Sequence, residues 1–132
     1  MRGKARASLL LAVDDIGRRR CAAAGVRLAG EQLSAVCRLD LYGAWRLLTT
    51  FEAADRCVLL LVAEHTRTAN PYQMLYDALG IEQPEEPCTK PACCDPEGQP
   101  PLAQDLVERL ERGLRDLARG LSASSKTQRR RR

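Results

Sequence analysis

His65, Arg67, Arg46 and Tyr72 are the side chains here whose types could do chemistry together. Imidazole gives and takes a proton near neutral pH, so His65 suits the role of acid or base. The guanidinium groups of Arg67 and Arg46 can hold phosphate oxygens through paired hydrogen bonds. A phenol such as Tyr72 can act as a weak acid or stack on a nucleobase. These are the parts that metal-free cleavage of an RNA strand needs. A base takes the ribose 2′-hydroxyl proton, an acid serves the leaving 5′-oxygen, and cations meet the extra phosphate charge. Arg38 and Tyr76 would extend such a surface along a nucleic-acid strand. Each residue also has a plainer use: His65 as a hydrogen-bonded boundary residue, Arg46 as cover for a sheet face, Tyr72 and Tyr76 as a packing face.

The elements that must position these groups follow from periodicity. Positions 8–21 read as a helix with Leu9, Ala12, Val13 and Ile16 on one face and basic residues in its last turn. Positions 33–42 alternate from Val36, so Val36, Arg38 and Asp40 face one way and Cys37, Leu39 and Leu41 the other. Two apolar runs, 45–51 and 57–63, flank a polar turn and complete an antiparallel meander. Asn70 and Pro71 suit the cap and first turn of a helix that Gly80 ends. Positions 104–121 form a long final helix, with Leu106, Leu110, Leu114, Leu117 and Leu121 as a stripe that must dock on something.

The fold class expected is therefore α+β: an N-terminal helix, an antiparallel three- to four-stranded sheet, a helix after the sheet and a long C-terminal helix. Residues 1–81 make the α+β core, 82–101 a Pro/Cys-rich loop, 102–123 the C-terminal helix packing on the core, and 124–132 a disordered basic tail.

Composition bounds the function. At 132 residues one domain is expected, and aromatics are 4% of it, so Leu, Val and Ala must fill the core. Residues 1–28 hold seven Lys or Arg against two Asp, whereas 29–84 hold four Arg against seven acids. With Lys126, Arg129, Arg130, Arg131 and Arg132 at the other end, the termini are basic and the middle mildly acidic, which suits a nucleic-acid partner gripped by the ends. No run is long enough to span a membrane. The five apolar residues 9–13 fall short of an export signal, so a cytoplasmic protein is expected.

Six cysteines without that signal point to reduced thiols or a metal rather than disulfides. Cys21, Cys37 and Cys57 lie in apolar patterns, as small hydrophobes do. The spacing of Cys88, Cys93 and Cys94 is wrong for a zinc knuckle, so neither metal nor cofactor is assigned. There is no P-loop, no Gly-rich dinucleotide turn, no HExxH and no Ser nucleophile elbow.

The order of these segments, with GAWRLLTTF in the meander, a short acidic turn, the apolar strand CVLLLVAEH and basic residues next, resembles RelE/ParE-type toxins of type II toxin–antitoxin systems. In that superfamily a strand with "yR" precedes an apolar strand running into "gH" or "gK"; the likeness covers about residues 8–76. It implies a metal-independent endoribonuclease acting on mRNA, as many RelE-like members cleave messenger RNA on the ribosome. RNA or the ribosome and a cognate antitoxin would be the partners, with a homodimer open. RelE-like active sites are usually crowded with Lys and Arg, whereas this middle region is acidic and has no Lys between positions 5 and 89. The alternative is a non-catalytic nucleic-acid or protein-binding module, including a gyrase-inhibitor-like toxin or an inactive descendant.

Overall fold

Ala5, Leu9, Ala12 and Ile16 recur at the spacing that brings one helix face to a sheet, and in the computed structural model they do so on helix α1, Gly3–Arg19. The structure describes residues 1–28, 33–82, 91–102 and 105–130, the last with side chains to position 120. A 3₁₀ turn, Arg20–Ala23, follows α1. Then come β1 (Val26–Arg27), β2 (Val36–Asp40), β3 (Trp45–Ala53), β4 (Arg56–Glu64), α2 (Pro71–Leu79) and α3 (Leu106–Arg130). The strands form one antiparallel sheet in the order β1-β2-β3-β4. The α+β architecture is the one expected, with β1 as its fourth strand.

Strand alternation sorts the side chains into two cores. Cys37, Leu39, Trp45, Leu47 and Phe51 point toward α1, where they meet Ile16 and Leu9. Val36, Leu48, Leu60 and Leu61 point the other way, onto Tyr72, Leu75 and Tyr76 of α2 and Leu106 and Leu110 of α3. The molecule is thus three layers, helix on sheet on helices, each face closing an apolar set. Leu60 and Leu61 share a face because β4 carries a register shift opposite Leu48 and Thr49; one extra residue in a strand has that effect.

Both ends of α2 behave as its sequence dictates. Asn70 Oδ1 accepts hydrogen bonds from the backbone N–H groups of Tyr72 (3.0 Å) and Gln73 (3.4 Å), and Gly80 ends the helix at φ +69°. Gly113 lets α3 lie against α2, since a Cβ there would strike the Ala78 carbonyl. Gly25, at φ +83°, likewise passes against the Arg38 carbonyl.

Four expectations need correction. The cysteines are not all reduced: Cys21 pairs with Cys94 and Cys37 with Cys93, at Cα separations of 5.2 and 5.7 Å. The reason is that residues 91–93 are not simply loop. They run beside β1, with Arg27 N–H donating to the Pro91 carbonyl (2.8 Å) and Cys93 N–H to the Gly25 carbonyl (2.9 Å), which carries both cysteines to the α1 face. Cys57 is a free thiol, and Cys88 lies outside the described residues. The helix expected over 8–21 begins at Gly3, because nothing between Gly3 and Ser8 breaks it.

Among the described side chains the Leu stripe of α3 docks along its first part: Leu106 and Leu110 are buried and Leu114 half-buried, whereas Leu117 is 41% exposed. That helix also continues to Arg130, across positions read as a tail, with no Pro or Gly beyond Gly120 to stop it. No helix among the described residues is long and apolar enough to cross a membrane.

Candidate functional site

The period-two alternation of β2 sends Arg38 and Asp40 to the face that α2 covers, and the β2–β3 register sets Asp40 directly opposite Arg46. Asp40 Oδ1 lies 3.2 Å from Arg38 Nε and 3.1 Å from Arg46 Nε. One carboxylate therefore holds two guanidinium groups and cancels one of their two charges. Arg46 is fixed further by its Nη1, which donates to the carbonyls of Trp45 (3.0 Å) and Gly43 (3.2 Å). Arg38 Nε is buried and its N–H has no aligned acceptor, so its contact with Asp40 is an ion pair rather than a hydrogen bond.

The capped N-terminus of α2 places Tyr72 on the same face. The Arg38 guanidinium carbon stands 5.8 Å from the Tyr72 ring centroid, within cation–π reach. The His65 ring meets Tyr72 edge-on, with centroids 5.2 Å apart and planes at 85°. His65 is tied to the β2–β3 turn by its backbone N–H, which donates to the Ala44 carbonyl (2.8 Å), and its side chain keeps partial access to solvent. A short loop follows, closed by Thr66 N–H on the Ala69 carbonyl (2.8 Å) and Ala69 N–H on Thr66 Oγ1 (3.1 Å). Arg67 and Thr68 stand exposed on it.

Four of the residues singled out from sequence, His65, Tyr72, Arg38 and Arg46, are therefore joined in one chain of contacts through Asp40 on one sheet face. Arg67 stands exposed on the loop, two residues after His65. Two assignments change. Tyr72 is 4% exposed and its hydroxyl is buried, so it offers its ring to the imidazole and guanidinium rather than a surface to a ligand. Tyr76, 3% exposed, belongs to the core beneath α2 and offers no surface to a nucleic acid. The side chains of Arg129 and Arg130, and all of Arg131 and Arg132, lie outside the described residues.

Asp40 was read only as part of a strand face. The signal that would have found it is Arg38-x-Asp40 on one face of a strand whose tight turn brings Arg46 opposite. Among the described residues no group of three or more His, Cys, Asp or Glu side chains is placed to hold a metal ion.

Cys57 lies on the other face, toward α1. Burial pushes its thiol pKa up, and Thr49 beside it pulls more weakly downward. Thr49 Oγ1 is buried without a well-formed hydrogen bond, which accounts for the weaker pull.

Compared with known proteins, the chain matches no family model, no curated protein and no solved structure.

Proposed function

We propose that this chain is a RelE/ParE-like toxin-fold protein that cleaves mRNA without a metal. The observation that supports this reading is the chain of contacts His65–Tyr72–Arg38–Asp40–Arg46 on one face, with Arg67 exposed on the loop two residues after His65. His65, partly exposed, is the group for proton transfer, and Arg67 and Arg46 are the cations for a scissile phosphate. Tyr72 holds the imidazole, and Asp40 holds the guanidinium groups at fixed spacing. Fixed donors serve a transition state better than mobile ones, because they need no reorganisation as charge develops.

A cognate antitoxin would be expected to keep such an activity in check, and the substrate would place the protein in the cytoplasm. Disulfides persist chiefly in oxidising compartments. Here Cys21, Cys37 and Cys93 are 3%, 0% and 0% exposed, and thiolate exchange requires access to a sulfur. Burial on both sides is the reason Cys37–Cys93 can survive a reducing pool; Cys94 is partly exposed, so its pair with Cys21 is the one open to exchange.

A second reading, binding without cleavage, draws on a different observation: the single carboxylate of Asp40 occupies both guanidinium groups, leaving fewer donors for phosphate. Inducible expression separates the two. A nuclease arrests growth and fragments transcripts, and His65→Ala or Arg67→Ala relieves the arrest. Intact transcripts on full expression would overturn the nuclease reading.

A further inference from the structure

The two disulfides differ in what they show to solvent. Cys37 and Cys93 are 0% exposed and Cys21 is 3% exposed, whereas Cys94 is partly exposed. Cys94 borders a cleft of about 360 Å³ between the end of α1 and the turn that follows it, where Arg20, Cys21, Asp55, Gly98 and Pro100 also line the wall. Opening this bridge does not undo the fold around it. Residues 91–93 stay on β1 through the buried Cys37–Cys93 pair and the main-chain hydrogen bonds of Arg27 and Cys93. The Arg27 side chain adds two more, its Nε donating to the Ala92 carbonyl (3.1 Å) and its Nη2 to the Cys93 carbonyl (3.2 Å).

The cleft holds a cation on the side of approach. Arg20 ends α1 at φ +58°, a left-handed backbone that residues with a Cβ seldom adopt, and it forms no ion pair among the described residues. Its neighbour Arg19 is engaged by Asp15 (3.2 Å), and Asp55 is paired with neither arginine. Arg20 is therefore the charge open to an incoming anion. On the other side of the bridge the Gly98 carbonyl oxygen lies 3.5 Å from Cys21 Sγ. In the disulfide that sulfur has no proton to give; as a thiol it donates to Gly98. The turn fixes this acceptor, because Asp95 Oδ1 accepts from the backbone N–H groups of Glu97 and Gln99, each at 2.9 Å.

We propose that Cys94 is a modification site, thiolated reversibly by a small anionic thiol of the glutathione type. The incoming thiolate attacks Cys94 Sγ and a new S–S bond forms there. The Cys94–Cys21 bond breaks, and its electron pair leaves on Cys21 Sγ. The reagent's thiol proton goes to solvent, and Cys21 takes one up and turns it to the Gly98 carbonyl. One thiol and one disulfide enter, and one thiol and one disulfide leave, so no outside oxidant is needed. Attack on Cys21 instead would have to pass through the core, where that sulfur is covered. Cys93, next in the chain, cannot resolve the adduct, because it is buried in its own disulfide. Cys21 is the thiol left to reverse the step. Nothing in this chemistry depends on RNA cleavage.

Peptide mass spectrometry of the folded full chain, after incubation in mixtures of reduced and oxidised glutathione and an acid quench, tests this. A glutathione adduct is expected on Cys94, with Cys21 open to alkylation and Cys37–Cys93 intact. Cys21→Ser, which removes the thiol that reverses the step, raises the adduct on Cys94; Cys94→Ser leaves Cys21 without one. Arg20→Gln slows opening by glutathione about two- to fivefold, the range an exposed charge pair gives, and leaves opening by uncharged 2-mercaptoethanol unchanged. Circular dichroism of each variant confirms that the fold is kept. A bridge that opens only in denaturant, or that opens with no adduct at any glutathione ratio, overturns the proposal. So does an adduct confined to Cys21, Cys93 or the free thiol of Cys57, or an Arg20→Gln that treats the two reagents alike.

Discussion

His65 stands edge-on to Tyr72, ring centroids 5.2 Å apart, while the Arg38 guanidinium is a further neighbour of that phenol ring. The ring therefore spaces the proposed proton-transfer group from a cation, and its hydroxyl is buried without a hydrogen-bond partner. Tyr72→Phe should then keep both activity and fold, with stability unchanged or raised by up to about 1 kcal/mol, because an unpartnered buried hydroxyl is removed. Tyr72→Ala should cost about 3–5 kcal/mol, as large-to-small aromatic changes in a core do. Denaturant titrations of the two variants check the pair. Loss of cleavage in Tyr72→Phe would instead assign the hydroxyl a direct chemical role.

Asp40→Asn should separate binding from positioning. The carboxylate is 53% exposed, so its ion pairs contribute at most about 1 kcal/mol to stability. Without it the local charge rises by one while Arg38 and Arg46 lose their shared anchor. Fluorescence anisotropy with a short single-stranded RNA should show tighter binding, steeper in its salt dependence, and single-turnover assays should show slower cleavage.

Much of this site was legible in the chain, for reasons that can be named. Arg38 and Asp40 share a face because strand periodicity is two, and Asn70, Pro71 and Gly80 mark α2 through cap and turn chemistry that acts within a few residues. Depth was not legible: Tyr72 and Tyr76 carry the same helical spacing whether their ring edges are open or covered, and the packing of α2 between the sheet and α3 decides it. β1 is two residues long and shows no pattern. The cysteine pairs lie 73 and 56 residues apart in sequence, so they depend on where 91–94 returns to the sheet, which no local signal records. The end of α3 was missed because the apolar stripe fades before the helix does.

The disulfides should dominate stability. In the chain-entropy picture a cross-link closing a loop of either length contributes about 4 kcal/mol, and the second less, because the two loops are nested. Alkylation of the native protein, followed by peptide mass spectrometry, should leave Cys21, Cys37, Cys93 and Cys94 unlabelled; a reductant should open the Cys21–Cys94 pair first, through the partly exposed Cys94, and Cys37–Cys93 only with a denaturant added. Reduction should then lower the unfolding midpoint sharply. The same alkylation in acid-quenched cells reports whether the pairs exist where the protein acts.

Cys57 should react slowly. Burial favours its neutral thiol over the thiolate, so its pKa lies above the ordinary value of 9.0. Below that pH the nucleophilic form is scarcer than in a free cysteine. Its alkylation rate should trail a model thiol at pH 8 and go on climbing with pH after the model has levelled off. Thr49→Val removes the weaker opposing pull and should slow the reaction further.

Cleavage of a defined RNA by the purified protein, in the presence of a metal chelator, tests the central claim most directly. The account predicts fragments ending in a 2′,3′-cyclic phosphate and a 5′-hydroxyl, no cut where the scissile ribose lacks its 2′-hydroxyl, and a loss of about 100-fold or more in His65→Ala. RNA that stays intact with the folded, disulfide-bonded protein, or that His65→Ala cuts as fast as the unmodified chain, would contradict it.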